Sequence, residues 1–281
     1  MVKRTCLTAV AWGLCLLGAS VAATPPNGHV QASLVAEVTS VQPGQPFWVA
    51  VRLQMDEDWH TYWRNPGDAG LGTRITWQLP PGFEAGEIQW PFPHRFESGG
   101  IVSFGYKDEV WLLTELRPPK SLKAGAHLTL AARVNWLECA DVCLPGKADV
   151  KLELPVRSGP PKPDARWADA FQKARARWPL TDARWQVSAD RTPSRLTLRL
   201  RPPAHFTRDP GALYFFPIDG DLIDHAAEQT LVRTNTALEL HLKPSPYAQT
   251  PPKRLRGVLV ASEGWDPEGS RRALWVDVPL P

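Results

Sequence analysis

Four cysteines occur in the 281 residues, and two of them, Cys139 and Cys143, stand in the run Asn135-Trp136-Leu137-Glu138-Cys139-Ala140-Asp141-Val142-Cys143-Leu144-Pro145-Gly146. Three residues separate the pair. If Cys139 ends one strand and Cys143 begins the next, a tight turn sets them opposite each other. Facing strand residues have Cα atoms about 4.5–5.5 Å apart, inside the window a disulfide requires. Pro145 and Gly146 argue against a helix continuing through the second cysteine. Three chemistries are open to such a pair: reversible thiol–disulfide exchange, a permanent staple, or metal binding.

Magnitudes weigh on that choice. Closing a ring of about five residues removes only ~2 kcal/mol of unfolded-state entropy, against ~4–5 kcal/mol for a loop near a hundred residues. A short ring is also reduced more easily, as labile and catalytic disulfides are. Two thiolates fill half a zinc shell, with no Cys-x-x-Cys or His-x₃-His partner nearby, although a linear two-sulfur Cu(I) site suits soft thiolates. Glu138 and Asp141, if close to the sulfurs, disfavour the thiolates. Exchange is the first reading; a Cu(I)-binding or purely structural module is the alternative.

The flanking sequence says where such chemistry takes place. Residues 1–23 have a basic start (Lys3, Arg4), an apolar run from Leu7 to Ala19 and a small-residue site at Val21-Ala22-Ala23. That is the pattern of a secretory signal peptide, too short for a stable membrane span. Cys6 and Cys15 leave with it. The expected compartment is a bacterial periplasm, where disulfides persist. No later segment has the roughly 18 apolar residues of a membrane helix, so the mature chain is expected to carry no span. Loss of Lys3 and Arg4 lowers the formal charge from +3 to +1. Such a balance provides no footprint for nucleic acid or an anionic membrane.

The remaining chain is long enough for two domains. Alternation through Val30, Ala32, Leu34, Ala36 and Val38 predicts a strand, and a Gln42-Pro43-Gly44-Gln45 turn leads into Phe47 to Val51. Further strands are predicted at Ile75 to Trp77, Glu87 to Trp90, Val110 to Leu113 and His127 to Val134. Many short strands with spaced turns predict an all-β sandwich over residues 24–157. Ser158-Gly159-Pro160-Pro161-Lys162-Pro163 reads as a stiff linker, 158–164 in all. Asp164 can cap a helix from Ala165 to Trp178, stopped by Pro179. Strands at Trp185 to Ser188, Arg195 to Leu200, Ala212 to Phe216, Leu238 to Leu242, Leu255 to Ala261 and Ala273 to Val278 predict a second sandwich over residues 165–281, with that helix at its start.

Several segments together resemble a known family. Trp136-Leu137-x-Cys139-x-Asp141-Val142-Cys143-x-Pro145-Gly146 is similar to the active-site loop of the N-terminal periplasmic domain of the thiol:disulfide interchange protein DsbD, and closer to its ScsB-like relatives. Trp59 to Asp68, Trp90-Pro91-x-Pro93 and Phe104 to Val110 support the match, which covers roughly residues 30–156. The second half, with Phe215-Phe216-Pro217 and Gly257-Val258-Leu259, resembles the second periplasmic module of ScsB-like proteins less specifically. The resemblance implies immunoglobulin-like sandwiches and a protein-disulfide reductase component, with no cofactor or metal. It implies a relay between a separate membrane electron-transfer protein and thioredoxin-like periplasmic acceptors. Cys143 would form the mixed disulfide and Cys139 would resolve it. A cap loop near Glu97 to Tyr106 would shield the pair through Phe104 and Tyr106, with His60, Tyr62 and Asp141 lining the site. A copper-handling role is the departure this family leaves open.

Other residues point to no competing chemistry. Trp59 and Trp63 read as packing, and Asn65-Pro66-Gly67-Asp68 as a turn with Asp68 its acceptor. His94 and His127 are isolated, the thirteen tryptophans are scattered, and no nucleophile-elbow motif is present. The arginines after the linker, from Arg175 to Arg201, read as a solvated basic face.

Overall fold

Alternating apolar residues build strands through most of the chain. The computed structural model describes residues 20–21 and 28–281 apart from 183, 205 and 235. The signal peptide expected over residues 1–23 lies outside them, except for the backbone of Ser20–Val21. The strands of the first half are β1 (Ser20–Val21), β2 (Val30–Ala36), β3 (Phe47–Met55), β4 (His60–Gly67), β5 (Arg74–Gln78), β6 (Glu84–Ala85), β7 (His94–Ser98), β8 (Ile101–Lys107), β9 (Glu109–Arg117), β10 (His127–Cys139) and β11 (Cys143–Pro155). Helix α1 (Ala168–Ala176) follows. Then come β12 (Gln186–Thr192), β13 (Arg195–Arg201), β14 (Leu213–Pro217), β15 (Thr230–Arg233), β16 (Leu238–Leu242), β17 (Arg254–Ala261) and β18 (Ala273–Pro279).

These strands form four sheets. One runs β1-β11-β10-β4-β8-β7, with β5 also paired to β10, and faces the sheet β2-β3-β9-β6. Leu34, Val51 and Leu112 of the smaller sheet meet Leu130, Val134 and Val150 of the larger in one core. The sheets β12-β13-β16-β15 and β14-β17-β18 enclose a second core built on Leu198, Leu240, Phe215, Leu259 and Leu274. The architecture is therefore all-β, as the strand pattern predicts.

The long β10–β11 hairpin sets the frame. Leu128, Leu130, Ala132, Val134 and Trp136 are buried on alternate positions of β10, as are Ala148, Val150, Leu152 and Leu154 on β11. Pairing runs unbroken from His127 opposite Pro155 to Cys139 opposite Cys143. Because side chains alternate strictly along a strand, this register fixes which face every residue between those pairs presents.

The structure differs from the sequence expectation in four places. Glu87 to Trp90 makes only one isolated bridge, Gln89 to Leu113. The Pro-rich stretch runs along the first sandwich: Arg157 N donates to Val41 O (2.9 Å), Thr39 N to Lys162 O (3.0 Å) and Asp164 N to Glu37 O (2.7 Å). The helix starts at Ala168 because Asp164 O accepts from Trp167 N and Ala168 N in an opening turn, while the Asp164 carboxylate grips Arg166. That helix lies on the first sandwich, where Phe171 and Ala174 pack on Val35, Ala50, Trp111 and Leu113. A strand apolar on both faces, as Val110 to Leu113 is, needs a cover on each side.

β8 approaches β4 closely at Gly105, which pairs with Tyr62. A Cβ at Gly105 would stand 2.0 Å from the Thr61 carbonyl oxygen, an atom of the backbone that cannot swing aside. Gly105→Ala is expected to destabilise the fold by about 1–3 kcal/mol, the usual cost of overpacking. Urea unfolding would show it as a lowered midpoint at unchanged slope; an unshifted midpoint would refute the close approach.

Candidate functional site

The register brings the two cysteines together. Cys139 and Cys143 are bonded through their sulfurs, with Cα atoms 4.2 Å apart. Ala140, Asp141 and Val142 make the turn between them, closed by a bond from Ala140 N to Val142 O (3.1 Å). The two sulfurs differ in access. Cys139 is 2% exposed, whereas Cys143 is exposed, as are Asp141 and Val142 beside it. Of the two residues, Cys143 is therefore the one open to a thiolate from outside.

β4 supplies the cover over Cys139. His60 stands directly opposite Cys139 across the β4–β10 pairing, and Tyr62 lies two residues on along the same face. The Tyr62 hydroxyl donates to Cys139 Sγ at 2.9 Å and lies 3.8 Å from Cys143 Sγ. Burial raises the Tyr62 phenol above its ordinary value, partly offset by Ser103. The hydroxyl thus keeps its proton, and an O–H donor is what stabilises a sulfur that gains negative charge. Gly70 makes room for this ring: with φ at +118°, a Cβ there would stand 2.2 Å from the Tyr62 ring.

A row of rings extends from that hydroxyl. Tyr62 meets the edge of His60 at 5.2 Å between centroids, and His60 stacks on Phe96 of β7 at 4.7 Å. Phe96 is the site residue that sequence reasoning missed. The stretch from Glu97 to Tyr106, expected as a cap loop, forms a β-hairpin with β7, turned at Gly99-Gly100. Both glycines have positive φ (58° and 81°), as the tight two-residue turn requires. Counting alternate positions back from that turn places Phe96 opposite Ser103, on the face of His60 and Tyr62.

The same count places Phe104 and Tyr106 on the opposite face. Both are buried in the first core. Phe104 meets Phe216 at 5.1 Å, and the Tyr106 hydroxyl donates to Pro91 O at 2.8 Å. Ser103, Gly105 and Lys107 occupy the sulfur-side positions between them, so neither ring shields the cysteines. Glu138 likewise points inward and is fully buried; it accepts from His29 N (2.9 Å) and the Trp136 indole (2.7 Å). It anchors the start of β2 to the end of β10. Trp136 in turn lies across Gly146, where a Cβ would stand 2.2 Å from the indole. Among the described residues, no three His, Cys, Asp or Glu side chains converge as a metal-binding cluster.

Two outcomes follow. After brief reduction at limiting iodoacetamide, Cys143 is expected to be alkylated well ahead of Cys139; equal labelling would contradict the difference in access. Burial also holds the His60 imidazole below its ordinary value of 6.5. The folded protein then keeps His60 neutral where the unfolded chain has begun to take up a proton. The stability this contributes is complete above about pH 6.5 and is lost as pH falls through the folded value. Unfolding midpoints measured from pH 7.5 down to 5 should fall less steeply in His60→Gln than in wild type. His94, depressed in the same direction, leaves a residual slope.

Comparison with known proteins bears on this arrangement. Residues 30–155 match the family described as "Thiol:disulfide interchange protein DsbD, N-terminal". No curated protein matches the chain. Among solved structures, the N-terminal periplasmic domain of ScsB from Proteus mirabilis superposes with a TM-score of 0.65 at 22% identity, over 93% of this chain and 98% of that one. At that identity the likeness speaks for the fold. The matched segment begins at β2, ends with β11 and contains both cysteines and the strand that covers them, so the likeness to the family of DsbD N-terminal domains takes in the whole of the candidate site.

Proposed function

We propose that the chain is a periplasmic thiol–disulfide exchange module that works through Cys139 and Cys143. The observation that carries this is the inequality of the two sulfurs: an exposed Cys143 bonded to a buried Cys139 whose sulfur receives a hydroxyl proton donor. A structural staple has no use for that asymmetry, whereas exchange needs one sulfur to be attacked and the other to leave. The family likeness of residues 30–155 supports the same reading, and the leader pattern supports export.

The steps balance as follows. A partner thiolate attacks Cys143 Sγ, the Cys139–Cys143 bond breaks, and Cys139 departs as a thiolate under the Tyr62 hydroxyl. The partner's second thiolate then attacks the mixed disulfide and releases Cys143. Two electrons and two protons pass from the partner dithiol to this pair, and the partner becomes a disulfide. The reverse sequence passes them to an oxidised acceptor: Cys143 attacks and Cys139 resolves. The proposed partners are a membrane electron-transfer protein on one side and thioredoxin-like periplasmic proteins on the other. The chain is proposed to divide into the exchange domain, with residues 158–164 and α1 laid along it, and a second sandwich from β12 onward.

Cys139→Ala removes the resolving sulfur while leaving the attacking one. Reduced Cys139→Ala mixed with an oxidised thioredoxin-like periplasmic protein and quenched with acid is expected to yield a dithiothreitol-sensitive covalent complex. Cys143→Ala should yield little or none. If Cys139→Ala captures no partner, or the two variants capture equally, exchange through Cys143 is wrong.

A further inference from the structure

The second pair of sheets touches the first at the strands that carry the site. Phe216 of β14, with Val258 and Ala273, enters the first core. Asn65, near the end of β4, donates from Nδ2 to Pro217 O at 2.8 Å in a buried bond. Three residues on, Asp68 makes three contacts. Its N–H donates to Val102 O (2.8 Å), its Oδ2 accepts from Val102 N (2.9 Å), and its Oδ1 lies 2.7 Å from His225 Nδ1. His225 belongs to the second half, is 4% exposed and sets its ring edge against Phe104 at 5.0 Å.

Val102 is the anchor of the β7–β8 hairpin. It pairs with Glu97, the neighbour of Phe96. The hairpin has few other restraints at its far end. The β4–β8 register breaks between Tyr62 and Gly67, β7 is the last strand of its sheet, and a Cβ at Gly99 or Gly100 would meet nothing within 4 Å. One face of the hairpin thus rests on His225 and Phe216, and the other presents Phe96 to His60. Contacts run without a gap from His225 through Asp68, Val102, the hairpin, Phe96, His60 and Tyr62 to Cys139 Sγ.

We propose that His225 and Asp68 are positioning residues: they clasp the hairpin from the second half and so hold the ring row that seats the Tyr62 hydroxyl on Cys139 Sγ, the sulfur that leaves, which sets how readily a thiolate opens the disulfide. The inference rests on the exchange reading above and gives the second half a task in it. Burying an imidazole against a carboxylate and an aromatic ring is costly unless the pairing is satisfied. Here the Nδ1 side is paired, and only when the two halves are seated together, while Nε2 is buried without a hydrogen-bond partner.

The test is a double-mutant cycle on the full chain, read as the rate at which dithiothreitol reduces the disulfide, followed by maleimide labelling. His225→Leu, which removes the donor to Asp68, should slow reduction by about two- to thirty-fold, the usual range of coupling between linked sites. Phe96→Ala should slow it as well, by loosening the backing of His60 and Tyr62. In the Phe96→Ala background, His225→Leu should add nothing, because both act through the same hairpin. His225→Asn, which keeps an N–H donor near the position of Nδ1, should restore much of the wild-type rate. A rate unchanged in His225→Leu, or multiplied equally with and without Phe96, overturns the proposal; both are what a merely structural contact predicts. If His225→Leu does not unfold cooperatively in urea, Asp68→Asn takes its place in the same cycle. Dithiothreitol needs no docking surface, so a chain that failed to exchange with thioredoxin-like proteins would still report on the clasp.

Discussion

The pairing of β10 with β11 is the constraint on which everything else depends. It holds thirteen residues of each strand in one register and closes at Cys139 opposite Cys143. A slip of β10 by one residue would move Leu130 and Val134 to the solvent face and take Cys139 out of line with Cys143, so the register that builds the core also builds the site. The apolar positions enforce it over most of the length. Near the turn, where those positions run out, Trp136 over Gly146 and the buried carboxylate of Glu138 take over. The carboxyl group is accommodated there because two donors, the His29 amide and the Trp136 indole, meet its oxygens in place of water.

The site follows from the two faces of that sheet. The inner face is closed by packing and holds Phe104, Tyr106 and Glu138. The outer face holds the sulfurs, His60, Tyr62 and Phe96, where a single layer of rings separates Cys139 from solvent. Chemistry that must be reached from outside and a core that must stay dry are thus kept apart by the thickness of one strand. Tyr62 is the hinge of this division: its ring is seated by Gly70, and its hydroxyl reaches the buried sulfur.

Much of this was legible in the residues themselves. The spacing of Cys139 and Cys143 implied a strand–turn–strand closure, and the alternation of β2 and β10 implied sandwich strands. Tyr62 was placed at the site by resemblance, and the structure brings it to hydrogen-bonding distance of Cys139. Phe104 and Tyr106, expected at the site from the resemblance to a cap loop, lie inside because alternation along β8 puts them on the inner face. Gly99-Gly100 was a hairpin turn in plain view, and counting from it would have put Phe96 at the site and the other two rings inside. The helix was visible, but its partner was not, because which sheet a helix covers is a tertiary matter. Trp111 and Leu113, adjacent in an apolar run, were the available hint. The contacts of Asn65 and Asp68 with Pro217 and His225 span more than 150 residues, and nothing local in sequence announces them.

The energetics favour a bond that can open without loss of the fold. A ring of about five residues contributes ~2 kcal/mol through unfolded-state entropy, a minor part of the 5–15 kcal/mol by which domains are stable. The β10–β11 pairing and the two cores do not depend on that ring, since the hydrophobic positions hold the register with or without the sulfur bond. Removing the bond costs the turn little. Leaving Cys139 buried as a thiolate would cost far more, and the Tyr62 hydroxyl offsets part of that cost at the atom where charge develops. The strand pairing and the two cores thus hold the fold apart from the sulfur bond, as the proposed exchange requires.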